Sequence, residues 1–210
     1  KLINNKFKNL IFIFLIIFLA FFLNIVINKL FAPYSLLTNL IIISSIFLII
    51  YSLIDLNNVF RKKNNFELPR ILSHLGFGLL VFFIGINHSF SVDQDFNLRE
   101  GEKKEFGNYI IDFKSLKYEQ RENYKAIVGE FNLLNKKNLQ KENLKPEIRV
   151  YSQPETLTYE ASIRTGLSYD LYLTMSNIDR SDFYNLKFQK KPFMLWIWIS
   201  VAIISLGGFV

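Results

Sequence analysis

The sequence has 210 residues with two histidines and no cysteine, so imidazole is the side chain best suited to binding a transition metal here. His74 lies a few residues inside "RILSHLGFGLL", a stretch that is otherwise compatible with lipid. An ionisable side chain within a membrane segment is energetically expensive and is by default a candidate functional residue. A neutral imidazole in such a place can ligate a metal ion.

His74 belongs to a stripe of residues that recur at steps of three and four, as one face of a helix requires. The stripe consists of Ile71, His74, Gly78, Val81, Gly85 and His88. In one interpretation, the two glycines let a neighbouring helix pack closely and His74 is hydrogen-bonded to a neighbour. In the other, a flat ligand lies on the groove and the imidazole binds its metal. The stripe by itself favours packing.

The two histidines cannot ligate the same metal ion. Fourteen residues separate them, which corresponds to about 21 Å along a helix. If His74 is an axial ligand, the opposite ligand therefore lies on another part of the protein or on another subunit. His88 lies near the outer end of the predicted helix, where a polar tip in the headgroup layer needs no functional explanation.

His74 lies in one of four stretches that contain no Asp, Glu, Lys or Arg. These stretches are residues 9–28, 30–54, 71–92 and 192–210. Each has about the length that a helix needs to cross roughly 30 Å of hydrocarbon. The sequence thus predicts an integral membrane α-helical protein with four transmembrane helices. Three of them lie within residues 1–92, at about 9–28, 31–54 and 71–91, and the fourth is 192–210. Trp196 and Trp198, near the start of the fourth, are predicted to be aromatic-belt residues.

Residues 93–191 have the composition of a soluble domain, with 17 of the 25 basic and 16 of the 18 acidic residues. Apolar and polar residues alternate in "LTYEASI", "YDLYLTM" and "YNLKFQ", and less regular strands are expected at 109–113 and 127–131. Such alternation gives a strand one buried and one wet face. We expect five to seven short strands in an inserted all-β domain, either a small sandwich or a barrel.

The remaining basic residues predict the orientation in the membrane. They are Lys1, Lys6, Lys8, Lys29, Arg61, Lys62, Lys63 and Arg70. All but Lys29 either precede the first helix or lie between the second and third. The positive-inside rule places these two regions in the cytoplasm. The N-terminus and the loop 61–70 are therefore predicted to be cytoplasmic, and residues 93–191 to lie on the outer side.

The domain at 93–191 offers no catalytic constellation. It has no histidine, no cysteine and no glycine-rich phosphate loop, so we predict no catalytic residue in it. Its lysines alternate with acidic residues, which is typical of a solvated face and not of a nucleic-acid site. We expect the domain to dock a partner at the membrane surface.

Five fragments, in order along residues 72–208, resemble the C-terminal part of CcmF, the haem lyase subunit of bacterial cytochrome c maturation. The fragments are "SHLGFGLLVFFIG", "REGEKKEFGNYIIDF", "ENYKAIVGEF", "KPEIRVYSQPETLTYEASIRTGLSYDLYLTM" and "KKPFMLWIWISVAIISLGG". Each is weak alone, but five in register with the same membrane layout are specific. Residues 1–70 match the family in hydropathy only.

The resemblance implies that the chain works in attaching haem to apocytochrome c at the outer face of the bacterial cytoplasmic membrane. It implies a periplasmic β domain, a haem chaperone and other maturation subunits as partners, and membrane lipid as surroundings. Members of the family hold a haem b between two transmembrane histidines, and His74 matches the C-terminal one of this pair. On this basis His74 is expected to be an axial ligand of haem b iron, which reverses the preference for packing.

The resemblance also implies what is missing. The family's tryptophan-rich haem-handling segment and its outward-loop histidines have no counterpart in this chain. We therefore expect a segment of a longer protein that is not active as a haem lyase alone. The alternative to the haem hypothesis is a membrane-anchored β-domain module that recruits a partner protein and has no haem or redox role.

Overall fold

The computed structural model describes residues 2–30, 35–62, 67–137, 139–177 and 182–209. The chain divides into two compact units. One unit is helical and consists of Lys1–Phe90 and Pro192–Val210, and the other consists of Ser91–Lys191. The helices are α1 Leu2–Leu30, α2 Leu36–Lys62, α3 Leu68–Phe90 and α4 Met194–Phe209.

Three of the four described helices are long and apolar enough to cross a membrane, and they form a membrane-embedded part of the protein. Their candidate spans are Leu10–Lys29 in α1, Leu36–Arg61 in α2 and Leu68–Phe90 in α3. The helix α4 is apolar but has 16 residues, fewer than the roughly 20 that usually cross a bilayer. The fourth crossing therefore stays a prediction.

The helix α2 extends beyond the second predicted span at its C-terminal end. The prediction ended at residue 54, whereas α2 continues through Asp55 and Arg61 to Lys62. The reason is that charged residues mark the edge of the hydrocarbon layer, whereas helical hydrogen bonds continue into water. The predicted start of this span at residue 31, and Lys63 in the predicted loop, lie outside the described residues.

Glycines bring the helix α3 close to helices on two sides. A Cβ atom on Gly78 would lie 3.0 Å from Ile49 Cγ1 of α2. On another side, a Cβ atom on Gly76 would lie 2.8 Å from the backbone nitrogen of Ile204 in α4. Small residues allow such approach because no side chain separates the two backbones. The helix α3 therefore packs against both α2 and α4.

The second unit is a β-sandwich. Its strands are β1 Val92–Leu98, β2 Lys103–Phe106, β3 Tyr109–Gln120, β4 Tyr124–Asn135, β5 Lys141–Leu144, β6 Glu147–Ser152, β7 Glu155–Glu160, β8 Ser162–Arg164, β9 Tyr169–Asn177 and β10 Tyr184–Pro192. One sheet has the order β1-β10-β9-β8, and the other has β2-β3-β4-β6-β7 with β5 also paired to β4. The ladders between these strands are antiparallel. Because two separate sheets are present, the sandwich alternative is correct and the barrel is not.

One apolar core lies between the two sheets. Phe113 and Phe131 of the larger sheet stack with ring centroids 4.3 Å apart, and both are fully buried. Phe188 of the smaller sheet lies 5.3 Å from Tyr109 of the larger one. Aromatic side chains bury large apolar areas, so these contacts between the layers stabilise the sandwich.

The prediction of five to seven strands was too low, since the described part of this unit contains ten. One reason is that the predicted strand "LTYEASI" is two strands. The strand β7 ends at Glu160 in the larger sheet, and β8 begins at Ser162 in the smaller one. Strands β2 and β5 have four residues each, too few for a period of two to be recognised in the sequence.

Candidate functional site

His74 lies near the N-terminal end of α3 and has a defined hydrogen bond. Its Nδ1 atom is 2.7 Å from the backbone carbonyl oxygen of Arg70, one helical turn earlier. A carbonyl oxygen only accepts hydrogen bonds, so Nδ1 carries the proton and donates it. In the neutral ring the lone pair is then on Nε2, the nitrogen that points away from this bond. When a histidine binds a metal through one ring nitrogen, a hydrogen bond from the other nitrogen, such as this one, orients the ring and sets its tautomer.

The stripe predicted from the sequence divides into two faces in the structure. Ile71, Gly78 and Gly85 are buried, and a Cβ atom on Gly85 would lie 3.4 Å from Ile42 Cγ1 of α2. The glycines therefore serve helix packing and do not form an open groove for a flat ligand. His74 and His88 are exposed.

A second stripe of α3 remains exposed beside the packed face. It consists of Arg70, His74, Phe77, Ile84 and His88. Their spacing of four, three, seven and four residues keeps them on one side of the helix. Phe77 is 54% exposed and Ile84 is 49% exposed. In the described part of the helical unit, a bound molecule can reach the imidazole of His74 from this face.

An open cavity of about 200 Å³ lies beside His74, between α2 and α3. Its lining residues are Leu48, Tyr51, Ser52, Asp55, Arg70, Ile71 and His74. Ser52 is 2% exposed, and its hydroxyl oxygen has no hydrogen-bond partner in the described structure. A buried hydroxyl without a partner is costly, and the cavity has the volume to hold water that satisfies it.

Arg70 connects this cavity to two carboxylates. Its Nη2 atom is 2.8 Å from Glu67 Oε2 and 3.9 Å from Asp55 Oδ2. The side chains of Arg70 and Glu67 are both about half exposed. Exposed ion pairs of this kind contribute only about 0–1 kcal/mol, so the guanidinium can change partners at little cost.

The donor set around His74 fits one half of a haem iron site. A haem iron takes axial ligands such as imidazole, and His74 presents Nε2 on an exposed face. No group of three or more His, Cys, Asp or Glu that could hold a metal ion occurs among the described residues. Among the described residues, His74 could therefore supply one axial ligand of such an iron, and His88, fourteen residues further along the same helix, lies too far away to supply the other.

Sequence reasoning placed Arg70 in a cytoplasmic loop and overlooked Ser52 and Asp55. Arg70 is in fact in the first turn of α3, and the other two residues come from α2. The spacing of four between Arg70 and His74 was a readable sign that both share a helix face. No sequence signal connected Ser52 or Asp55 to His74, because that proximity results from the packing of two helices.

An aromatic cluster joins α3 and α4 at the end of the unit away from His74. Phe83 of α3 stacks on Trp196 with ring centroids 5.8 Å apart, and Phe193 lies 5.7 Å from Phe83. Trp198 is 66% exposed. Trp196 thus has a packing role in addition to the belt role predicted from its position, which stays a prediction.

The β unit has an exposed apolar patch, which we call the overhang: Tyr118, Val150, Leu157 and Tyr159. Tyr118 is 76% exposed, and the other three are 38–46% exposed. Tyr159 is the cross-strand partner of the buried core residue Ile148, and Leu157 is that of Val150. Cross-strand partners share a face of a sheet, so the overhang continues the core face of the larger sheet beyond the part that is covered.

The overhang corrects the interpretation of "LTYEASI". Its alternation predicted a buried face formed by Leu157, Tyr159, Ala161 and Ile163. Leu157, Tyr159 and Ile163 are instead 45–55% exposed. Alternation identifies the side chains that share a face, but it does not tell whether another layer covers that face.

A charged cluster occupies the opposite face of the larger sheet. Lys117 Nζ lies 2.7 Å from Glu130 Oε1, Lys145 Nζ lies 3.3 Å from the same oxygen, and Ser115 donates to Glu130 Oε2. The hydrogen bond from Lys117, followed by those from Lys145 and Ser115, lowers the pKa of Glu130 to about 2 despite some desolvation. Because its members bind one another, this cluster is a structural feature and offers no open site.

Comparison with known proteins identifies the family. Residues 89–192 match the family described as CcmF C-terminal beta-sandwich. The chain is 32% identical over 149 residues to the cytochrome c-type biogenesis protein CcmF of Haemophilus influenzae, covering 70% of this chain and 23% of that protein. It is 27% identical over 137 residues to the CcmF of Pseudomonas aeruginosa, covering 65% and 21%.

A solved structure has the same fold. The cytochrome c heme lyase CcmF superposes with a TM-score of 0.70 at 14% identity, over 95% of this chain and 33% of that one. The chain thus spans roughly a quarter of the first of these relatives and a third of the solved structure. The matched sandwich, the curated relatives and the shared fold together show that the chain belongs to the CcmF family, to the C-terminal part of which it corresponds.

Proposed function

We propose that this chain is a part of the haem lyase that attaches haem covalently to apocytochrome c at the outer face of the bacterial cytoplasmic membrane. In this proposal His74 is one axial ligand of a haem b within the membrane, and the β unit docks a partner. The names of the relatives, which refer to cytochrome c biogenesis and haem lyase, support the general role. Apocytochrome c, a haem chaperone and other maturation subunits are the partners.

The observation that carries the haem proposal is the arrangement of the His74 ring. The Nδ1 atom of His74 lies 2.7 Å from the Arg70 carbonyl oxygen and donates a hydrogen bond to it, so in the neutral ring the lone pair is on Nε2, which is directed away from this bond. His74 is also exposed on α3 within this chain, so a ligand can reach its ring. A hydrogen bond of this kind fixes the ring orientation and favours the tautomer whose Nε2 can bind iron.

The residues of the chain then have distinct tasks in holding the group. His74 ligates, the Arg70 carbonyl sets the ring orientation, and the glycines of α3 hold the helix against α2. When bound, a haem b supplies one-electron redox chemistry. Held by His74, such a group would supply the one-electron chemistry that keeping the substrate iron or cysteine thiols reduced requires, with the electrons coming from a donor outside this chain.

The orientation in the membrane follows from the charges. Arg61 and Arg70 belong to the ends of α2 and α3 that the positive-inside rule assigns to the cytoplasm. Residues 93–191 are then periplasmic and the N-terminus is cytoplasmic. His74 lies about 9 Å along the axis from the first residue of α3, which places the haem toward the cytoplasmic half of the membrane.

The direct test is His74→Ala in the complete protein that contains this segment. We expect loss of the b-type absorbance band from the purified protein, because an axial ligand is removed. His88→Ala is the matched control, since it removes the other exposed imidazole of the same helix, and it should keep the band. Full retention of haem b in His74→Ala would exclude His74 from the site.

The overhang supports the docking part of the proposal and is also the observation that favours the alternative, a binding module without haem. An unfolded apocytochrome segment exposes apolar side chains and unpaired backbone groups. The overhang offers apolar side chains, and β7 is an edge strand of its sheet, so an extended segment can add to it. A complete protein that binds apocytochrome c but contains no haem b would support the alternative.

The docking site is tested with Leu157→Ser and Tyr118→Ser. We expect apocytochrome c binding to weaken on the order of tenfold per exposed apolar anchor, because apolar area is removed while the fold is kept. The control is Leu167→Ser, another exposed leucine of the β unit outside the overhang. Equal binding by the overhang variants and the control, measured by surface-immobilised peptide titration, would place the docking surface elsewhere.

A further inference from the structure

The exposed face of α3 changes in character along its length. Arg70, with its charged guanidinium, is one turn N-terminal to His74 on this face, and Phe77 is about one turn C-terminal. The three residues lie in a row spaced by four and three, so about 6 Å of helix axis separates Arg70 from His74 and about 4.5 Å separates His74 from Phe77. A cation, an imidazole and an exposed aromatic ring therefore follow one another in this order.

Haem has a matching asymmetry. Two carboxylates lie on one edge of the macrocycle, and the other edges are apolar. We infer that Arg70 binds the haem propionates and that Phe77 packs against the macrocycle, so that the propionate edge faces the N-terminal end of α3. This inference rests on the proposal that His74 ligates the haem, and it assigns two further binding residues and an orientation.

The ion pairs that Arg70 now makes are weak enough for a haem propionate to replace a carboxylate partner. The guanidinium lies 2.8 Å from Glu67 Oε2 and 3.9 Å from Asp55 Oδ2, and its side chain is 54% exposed. An ion pair between half-exposed side chains contributes little to stability. A propionate is itself a carboxylate, and the planar guanidinium can bind it through two parallel hydrogen bonds. Asp55 and Glu67 meanwhile keep the guanidinium beside His74 when no propionate is present.

The exposure of Phe77 is consistent with the other half of the inference. Phe77 is 54% exposed, whereas Phe83 of the same helix is packed against Phe193 and Trp196 of the α4 region. A porphyrin face or edge against the Phe77 ring would bury apolar area on both, which stabilises binding by about 25 cal/mol per Å². Over these two helical turns, Arg70 can thus bind the charged edge of an amphipathic ligand, and Phe77 can pack against its apolar part.

The test uses the complete protein and measures haem retention and the midpoint potential of haem b. We expect Arg70→Gln to keep the b-type band but to lose haem on the order of ten times faster, as removal of a charge-assisted hydrogen bond predicts. The midpoint potential should fall, because a nearby positive charge that favours the reduced iron is gone. Arg70→Lys should restore the potential, and Phe77→Ala should accelerate haem loss with little change in potential.

Matched controls come from the end of α2. Arg61→Gln removes an exposed positive charge from the same end of the helical unit, and Phe60→Ala removes a phenyl ring that is 65% exposed. Both should behave as wild type in retention and potential. If Arg70→Gln fails to accumulate, Arg70→Lys is compared with Arg61→Lys, and faster haem loss from the former alone is expected because lysine lacks the planar fork.

The outcomes separate the two proposals. If His74→Ala abolishes haem b while Arg70→Gln and Arg61→Gln are indistinguishable in potential and retention, the propionate inference is overturned and the ligand proposal stands. If His74→Ala retains haem b fully, the ligand proposal fails, and the inference that rests on it fails as well.

Discussion

At the scale of single residues, the neighbourhood of His74 depends on backbone as much as on side chains. The acceptor of its Nδ1 proton is the carbonyl oxygen of Arg70, which any residue at that position would provide. The hydrogen bond is therefore a consequence of helical geometry once the imidazole occupies this rotamer. The side chain of Arg70, by contrast, is specific and places a cation within one turn of the ring.

Glu130 provides a prediction about pH at the same scale. Its pKa is lowered from an ordinary 4.5 to about 2, first by the hydrogen bond from Lys117. Since the folded pKa is the lower one, the ionised carboxylate stabilises the fold above pH 4.5, and this contribution is lost as the pH falls from 4.5 to about 2. We expect Glu130→Gln to lower the thermal unfolding midpoint of the β unit at pH 7 and to have no effect near pH 2.

The control is Glu122→Gln, which changes an exposed carboxylate in the turn between β3 and β4. It should leave the unfolding midpoint unchanged at every pH. A difference between Glu130→Gln and wild type that stays constant from pH 6 to pH 2 would contradict the assignment of the lowered pKa to this carboxyl group.

At the scale of elements, the pair α3 and α4 depends on the absence of side chains at particular positions. A Cβ atom on Gly207 would contact Ser73 Oγ and would lie 2.8 Å from both the Pro69 carbonyl oxygen and the Ser73 backbone nitrogen. At Gly208, the next residue, nothing lies within 4 Å of such an atom. The neighbours of Gly207 thus leave no room for a side chain, whereas those of Gly208 do.

This contrast predicts different effects of the same substitution. Gly207→Ala should destabilise the packing of α4 on α3 by about 1–3 kcal/mol, because backbone atoms cannot give way as a flexible side chain can. Gly208→Ala should change stability by no more than about 0.5 kcal/mol, as open surface positions do. The measurement is unfolding of the 210-residue chain in micelles titrated with SDS.

Tryptophan fluorescence provides the signal for this measurement. Its two tryptophans, Trp196 and Trp198, both lie in α4, and Trp196 stacks on Phe83 of α3. Their fluorescence therefore reports separation of α4 from α3. Equal midpoints for the two alanine variants would mean that the close approach at Gly207 is not required.

At the scale of the whole molecule, the chain joins a membrane-embedded helical unit to a β-sandwich with different physical requirements. The helical unit exposes many large apolar side chains, such as Phe14, Phe18 and Leu36, which favours apolar surroundings over water. The sandwich carries most of the charge and buries its apolar residues between two sheets. The β unit enters after α3 and returns to α4, so both of its ends are tied to the helical unit.

The proposed orientation can be tested with single cysteines introduced into this segment, whose 210 residues contain none. Lys137→Cys lies at an exposed position of the β unit, and Arg61→Cys is exposed near the end of α2. We expect a membrane-impermeant maleimide to label Lys137→Cys in cells whose outer membrane alone is permeable. Arg61→Cys should react only after the cytoplasmic membrane is opened, and the reverse pattern would invert the topology.

Much of this protein is determined by the sequence alone, because lipid and water impose different compositions over long windows. The charge-free stretches at 9–28, 30–54 and 71–92 identified the three long membrane helices without reference to any contact. The alternation in "YDLYLTM" and "YNLKFQ" identified β9 and β10 for the same reason. A five-fragment resemblance identified the family.

Only the tertiary structure decided which surfaces are covered. Periodicity put His74, Gly78 and Gly85 on one stripe, yet the glycines are packed against α2, whereas His74 stays exposed beside the open cavity between α2 and α3. Alternation put Leu157 and Tyr159 on a buried face, yet they are exposed, because the smaller sheet does not extend over them. Ser52 and Asp55 are next to His74 only because α2 packs on α3. Local sequence patterns record the geometry of one element, whereas burial depends on a partner element, often one that lies far away in the chain.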